Sequence, residues 1–220
     1  DMKRSLIWDV NDDNDSPYQL EKIKDVIVSP NLTYLVLIIN AYDKRDFEAK
    51  CVLWTNFPAN QKIRAYDDFI IVEFSQDESQ LVYIAKSKNK ECLVHINSDS
   101  QETTYEYELI KDFTFSDDCK SYAFIGKTGN EYYAVCNGKT SKPYITIDYL
   151  RFSSGKWFYT ATILADPANS TRYILKLIMN TNGDEVEVPS PGLVYYYEIS
   201  PNGKHIALTD ISLENKKEYA

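Results

Sequence analysis

Four aspartates recur along the chain, each four to seven residues before a serine that also recurs. They are Asp25, Asp68, Asp112 and Asp148. If they occupy equivalent points of a repeated unit, their carboxylates would form a ring at one end of the fold. Such a ring raises the local negative potential and could hold a cation or a basic group of a partner. The alternative is that each aspartate caps the turn that enters its strand.

A second acidic cluster lies near the start of the chain. Asp9, Asn11 and Asp13 place oxygen ligands at alternate positions, as the first half of a Ca²⁺-binding loop does. The sixth position of this loop is Asn14, where glycine is usual, and the twelfth is Leu20, where glutamate is usual. The sequence therefore keeps Ca²⁺ as a candidate cofactor, with a solvated acidic hairpin as the alternative.

The residues give little support for nucleophilic catalysis. The G-x-S-x-G, H-E-x-x-H and G-x-G-x-x-G motifs do not occur in the sequence. Residues 126–128 are similar to the end of a phosphate-binding loop, but Ser121 stands where that loop needs its first glycine, so we interpret them as a hairpin turn. The two histidines, His95 and His205, fit strand positions, and a catalytic triad would need one of them beside an exposed serine. We predict no catalytic residue.

Two of the four cysteines, Cys119 and Cys136, are predicted to lie near each other across one hairpin. They are a candidate disulfide, which would imply an oxidising compartment. The alternative is that both are buried free thiols.

The strongest pattern is a repeat marked by serine. Each repeat serine follows an apolar strand and precedes a polar turn and a second apolar strand. The five serines are Ser29, Ser75, Ser116, Ser153 and Ser200, spaced by 46, 41, 37 and 47 residues. A period of roughly 40 to 45 residues with several short strands per unit is typical of β-propeller blades. We therefore predict an all-β fold, a β-propeller of five blades with four antiparallel strands each, in one domain over residues 1–220.

Each full unit also contains a third and a fourth strand. The predicted third strands are residues 51–55, 92–96, 132–136 and 173–178. The predicted fourth strands, which are more polar, are residues 62–66, 104–109, 144–147 and 185–188.

The two ends of the chain fit complementary halves of a blade. Residues 5–10 and 18–23 fit a third and a fourth strand, and residues 194–200 and 205–209 fit a first and a second. We predict that these halves combine into the fifth blade, because pairing them would close the ring and remove open sheet edges. The alternative is that the chain is a piece of a larger propeller.

Two serine motifs carry a family resemblance. The segment from Ser200 to Ala207, SPNGKHIA, and the tripeptide Ser29-Pro30-Asn31 resemble the Ser-Pro-Asp-Gly-Lys-x-Ile-Ala core of TolB-like, WD-repeat-like propellers. The resemblance implies a propeller scaffold that binds proteins or ligands, often in bacterial envelopes, and it favours a periplasmic or secreted location. It carries over no catalytic residue, since propellers host many unrelated activities.

Composition narrows the choice of partner. The net charge of −9 argues against nucleic acid, because binding phosphates requires clustered lysine and arginine. No apolar run reaches the roughly 18 residues of a membrane span. The 18 tyrosines favour half-buried strands and protein interfaces. We predict a non-catalytic binding scaffold whose partner is a protein, with a small ligand or glycan as a further candidate.

Two other functions stay open at this point. The chain could be the accessory propeller of a larger protein that is itself an enzyme. It could also be a five-bladed glycan-active enzyme or a glycan-binding module. A glycosidase needs two carboxylates about 5 to 9 Å apart in one pocket. The recurring aspartates, Glu73 and Glu198 could supply such a pair.

Overall fold

A computed structural model of the chain describes residues 16–57, 64–166, 169–181, 183–189, 193–200, 202 and 204–211. In this part of the chain every regular element is a β-strand. No helical segment among these residues has the length and hydropathy that crossing a bilayer requires. The chain forms two compact units, Asp1–Glu106 and Tyr107–Ala220.

The first unit contains two four-stranded antiparallel sheets. The first sheet has the order β1 (Tyr18–Val28), β2 (Leu35–Asp43), β3 (Ala49–Thr55) and β4 (Arg64–Tyr66). The second has the order β5 (Asp68–Phe74), β6 (Gln80–Ser87), β7 (Lys90–Asn97) and β8 (Glu102–Tyr107).

The second unit contains two further four-stranded sheets and one hairpin. One sheet comprises β9 (Leu109–Phe115), β10 (Tyr122–Thr128), β11 (Glu131–Cys136) and β12 (Lys139–Thr140). The other comprises β13 (Thr146–Ser153), β14 (Lys156–Asp166), β15 (Asn169–Thr181) and β16 (Asp184–Glu187). The hairpin pairs β17 (Leu193–Ile199) with β18 (Ile206–Ile211).

Every four-stranded sheet is an up-and-down meander, in which each strand pairs with its neighbours in the sequence. Such a meander is the unit from which β-propeller blades are made. The described residues thus form four complete blades and two strands of a fifth. The prediction of an all-β fold of the multi-blade propeller class is confirmed.

The second strand of every four-stranded sheet contains a run of consecutive buried residues, which explains its unbroken apolar sequence. In β2, the side chains of Val36, Leu37, Ile38 and Ile39 are all at most 6% exposed. Successive side chains of a strand point to opposite faces, so both faces of this sheet are covered. A strand covered on both faces requires consecutive apolar residues rather than alternation. The five consecutive buried residues 81–85 of β6 follow the same rule.

The repeat serine joins the first strand to the second in four of the five units. Its hydroxyl accepts the backbone N–H of the fifth residue on, and its own N–H donates to the carbonyl of that residue. The hydroxyl distances are 2.8 Å for Ser29 and Tyr34, 3.0 Å for Ser75 and Gln80, 2.9 Å for Ser116 and Ser121, and 2.9 Å for Ser200 and His205. The two hydrogen bonds connect both ends of the turn, which we call the serine turn.

The fourth unit has a shorter turn. Ser153 pairs directly with Lys156 across the turn between β13 and β14. Its hydroxyl instead donates to the carbonyl of Ser200, at 3.1 Å, in the serine turn of the fifth repeat. The shortened sequence of this repeat thus changes the serine's partner.

The third residue after the serine adopts a left-handed backbone conformation in three of these turns. It is Leu32 with φ 63°, Glu78 with φ 59° and Cys119 with φ 56°. Glycine takes this conformation without steric cost, whereas a Cβ makes it unfavourable. The equivalent Gly203 lies outside the described residues.

The predicted role of residues 18–23 as a separate fourth strand is wrong. These residues begin β1, a single strand that pairs with β2 from Tyr18 to Val28. Two bulges interrupt the alternation of this strand, after Leu20 and after Ile23, so one long strand has the sequence pattern of two short ones. Residues 5–10, the other predicted strand at this end, lie outside the described residues.

Two local predictions in the third repeat also need correction. The fourth strand is Lys139–Thr140, not residues 144–147, because Ile147 belongs to β13 and Tyr144 forms only an isolated bridge to Tyr132. Residues 126–128 end β10 and do not form a turn. Gly126 is required within this strand because a Cβ there would come within 2.7 Å of the Tyr107 ring.

We predict that Ser75→Ala destabilises the protein through the serine turn. Ser75 is buried, and its hydroxyl also donates to Asp77 at 2.7 Å. Removing it leaves the N–H of Gln80 without its acceptor inside the protein, at a cost of about 1–3 kcal/mol. Urea unfolding followed by circular dichroism would measure the loss. Ser98→Ala is the control because Ser98 is exposed, and an equal loss in both variants would contradict this role.

We expect Leu32→Gly to stabilise the protein. Leu32 is 79% exposed, so its side chain contributes little by packing, while its Cβ opposes the left-handed conformation. Relief of this strain should raise the free energy of unfolding by up to about 1 kcal/mol. Leu32→Ala keeps the Cβ and should give no gain. A gain of the same size in both variants would show that backbone strain is not the cause.

Candidate functional site

Every first strand of a unit contains a break in its pairing with the second strand. The breaks lie between Ile23 and Asp25, Phe69 and Ile71, Lys111 and Thr114, Asp148 and Arg151, and Val194 and Tyr196. An extra residue at such a bulge bends the strand and turns side chains away from their regular directions. Bulges are frequent beside functional sites.

The bulges of β9 and β13 line a single pocket of about 770 Å³ in the second unit. Its lining residues are Lys111, Asp112, Phe113, Thr114, Asp148, Tyr149, Leu150 and Arg151. Each bulge thus contributes four consecutive residues, two of them charged. We call this cavity the bulge pocket.

One ion pair crosses the bulge pocket. Lys111 Nζ on β9 lies 2.6 Å from Asp148 Oδ1 on β13. The same ammonium lies 5.3 Å from the centre of the Tyr132 ring, and Lys127 lies over that ring at 5.4 Å. Cation–π contact and the carboxylate together fix the Lys111 side chain in the space between the two first strands.

The pocket holds two more charges that are not neutralised in this way. Within the part of the chain that the structure describes, neither Asp112 nor Arg151 forms an ion pair. Both side chains are exposed to solvent. The pocket therefore offers one carboxylate and one guanidinium to a ligand.

Backbone strain coincides with the pocket. Asp112 has φ 53° and Tyr149 has φ 57°, both in the left-handed region. The buried Tyr197 stabilises the bulge of β13. Its hydroxyl hydrogen is shared between the carbonyls of Tyr149 and, at 2.9 Å, Phe158. Burial raises the pKa of Tyr197, so this hydroxyl stays a donor at neutral pH. Strained residues held in place by their surroundings are concentrated at functional sites.

A similar ion pair links the first strands of the first unit. Lys24 Nζ on β1 lies 2.5 Å from Asp68 Oδ1 on β5. This contact lowers the pKa of Asp68 and raises that of Lys24. Cys51 lies beside the pair, with its Sγ 3.7 Å from the carboxylate. In each compact unit, a lysine on the first strand of one sheet therefore binds an aspartate on the first strand of the following sheet.

Each compact unit contains two of the four predicted carboxylates. Asp25 and Asp68 belong to the first unit and Asp112 and Asp148 to the second, and a lysine binds Asp68 and Asp148. Asp25 and Asp68 each also accept the N–H of the following residue at 2.8 Å, within their strands and not in the turns before them. A role in binding a cation stays a prediction.

No group of three or more metal-ligating side chains occurs among the described residues. The Ca²⁺ candidates Asp9, Asn11 and Asp13 lie outside them.

The structure gives the two histidines other contacts. His95 Nε2 lies 2.7 Å from Gln80 Oε1, and burial lowers the pKa of this histidine. His205 contributes its backbone to a serine turn. Neither residue is part of the pocket lining.

The candidate disulfide is not formed in the structure. All four cysteines are buried free thiols. The pairing of β10 with β11 sets Cys136 opposite Ala123, whereas Cys119 lies in the preceding serine turn. Burial raises the pKa of the Cys136 thiol to about 12, which keeps it protonated and unreactive.

Sequence reasoning found the two aspartates of the pocket but missed the other lining residues. One available signal was the Lys-Asp dipeptide, which recurs at 24–25 and 111–112. In both copies the lysine lies five residues and the aspartate four residues before a repeat serine. Tyr149 is the residue at the same distance before Ser153 as Asp112 is before Ser116. Position relative to the serine therefore identifies the strained residue of each bulge in the pocket.

No protein-family model matches the chain, and no curated protein matches its sequence. Solved structures with a similar fold include the β-propeller domain of the trilobed protease from Pyrococcus furiosus, with a TM-score of 0.48 and 7% identity over 88% of this chain and 72% of that one. An acylaminoacyl peptidase from Pyrococcus horikoshii gives 0.45 and 8% over 85% and 35%. TolB from Acinetobacter baumannii gives 0.39 and 12% over 90% and 64%. The chain thus spans about a third of that peptidase, and these likenesses concern the fold alone.

Proposed function

We propose that this propeller is a non-catalytic binding module, that its partner is a protein, and that the partner docks at the bulge pocket. The observation that carries the proposal is the exposed, strained bulge of β13, where Tyr149 is 49% exposed and Arg151 forms no ion pair with any described residue. Tyrosine and arginine are the residues that most often dominate binding energy at protein interfaces.

The lining of the pocket offers several kinds of contact to a ligand. It contains no histidine, cysteine or serine, the residue types of a Ser-His or Cys-His nucleophile. What the pocket does offer is two charges of opposite sign, a hydroxyl from Thr114 and the aromatic rings of Phe113 and Tyr149.

Site-specific crosslinking would test where the partner docks. A photoreactive benzoylphenylalanine at position 149 should form a covalent adduct with the partner in an extract of the source cells. Position 173 is the matched control, because Tyr173 is 53% exposed on β15 and is not part of the pocket lining. We expect an adduct from position 149 that Arg151→Gln weakens, and none from position 173. Equal adducts at both positions, or none at either, would contradict the proposal.

Glycan hydrolysis is the second candidate, because Asp112 and Asp148 place two carboxylates in one pocket. A glycosidase needs such a pair, with one member acting as an acid. Here the Lys111 ammonium already binds Asp148. We therefore expect no release of nitrophenol from a panel of nitrophenyl glycosides. Release that Asp112→Asn reduces by about a hundredfold or more would establish the enzyme instead.

A further inference from the structure

The end strands of two sheets border the bulge pocket. β9 is the end strand of the sheet β12-β11-β10-β9, and β13 is the end strand of the sheet β13-β14-β15-β16. The bulges also remove residues 112–113 and 149–150 from the register with the second strands. An edge strand presents N–H and C=O groups to which an extended peptide can add by main-chain hydrogen bonds. The pocket is therefore suited to an extended segment.

The charges of the pocket specify what that segment should carry. The Lys111–Asp148 pair is satisfied internally, at 2.6 Å. Asp112 and Arg151 form no ion pair among the described residues, and they lie on different strands of the pocket wall. A purely basic ligand would be attracted by Asp112 and repelled by Arg151. A purely acidic ligand would be attracted by Arg151 and repelled by Asp112. Only a ligand with both charges satisfies both residues.

We propose that the ligand of the bulge pocket is an extended peptide segment of the partner with a basic and an acidic side chain on the same face. Asp112 binds the basic group, and Arg151 binds the acidic group. The exposed ring of Tyr149 lies within the same bulge as Arg151 and supplies apolar contact area. This inference rests on the proposed function and adds the chemistry of the partner.

Binding of designed peptides to the full chain would test the inference. The probes are end-blocked fluorescent peptides of about ten residues, the length of a long strand, with threonine at every second position. The remaining positions, which share one face, alternate lysine and glutamate in the mixed probe. In the other probes these positions are all lysine, all glutamate or all glutamine. We expect the mixed probe to bind about tenfold more tightly than the all-lysine and all-glutamate probes, as one additional charge-assisted contact would give, and by a larger factor than the all-glutamine probe, which lacks both contacts.

Single substitutions separate the two contacts. Asp112→Asn should reduce binding of the mixed probe to the level of the all-glutamate probe, and Arg151→Gln should reduce it to the level of the all-lysine probe. Both side chains are exposed, so neither change alters the core. Asp99→Asn and Lys204→Gln are the controls, because both residues are exposed in turns and neither lines the pocket.

Three results would overturn the inference: no preference for the mixed probe, an unchanged preference in both pocket variants, or no binding of any probe. Its failure can be distinguished from failure of the proposed function. If position 149 crosslinks to a partner while the mixed probe is not preferred, the docking site stands and the charge pattern of the ligand is wrong. If position 149 gives no adduct, the docking site itself is wrong.

Discussion

The serine turn is the constraint on which the rest of the structure depends. Two hydrogen bonds between the serine and the fifth residue on fix where the first strand ends and the second begins. From that fixed point the pairing runs back along the first strand until the bulge interrupts it. Because the bulge lies at a nearly constant distance before the serine, the turn also decides which residues leave the register. Asp112, four residues before Ser116, reaches the pocket for this reason, whereas Tyr149 precedes Ser153, which pairs directly with Lys156 across a shorter turn.

The ion pairs between first strands fix geometry more than they add stability. Lys24 and Asp68 are both more than a third exposed, and such pairs contribute about 0–1 kcal/mol because water screens them. Their importance is positional. In the second unit, Lys111 occupies Asp148 and lies over Tyr132, so it is not available to neutralise Asp112. The same contact that links two first strands therefore leaves the adjacent carboxylate exposed.

The sequence predicted the elements that depend on local chemistry. The serine positions, the apolar second strands and the third strands are set by turn residues and by burial on both faces, and these patterns are visible in the chain. Bulges are different, because they arise from how one strand pairs with another. The missed bulges made residues 18–23 resemble a separate strand, and they concealed Tyr149 and Arg151 as pocket residues. The aspartates of the pocket were found only because they recur. The lysine partner of Asp148 belongs to the first strand of another sheet, and such pairing is not encoded by spacing.

The charge at Asp112 is difficult to explain by stability alone. Its backbone is in the left-handed region, where any residue with a Cβ is strained, although aspartate tolerates it better than most. An aspartate in a turn commonly offsets such strain by accepting a backbone N–H. Asp25 and Asp68 of the first unit each accept the N–H of the following residue, although their own backbones are not left-handed. Within the described residues Asp112 has no such hydrogen bond and no ion pair. Asparagine or glycine would fit the same backbone without leaving a charge unpaired. In the proposed binding module, a basic group of the partner would supply the contact that this carboxylate lacks within the described residues.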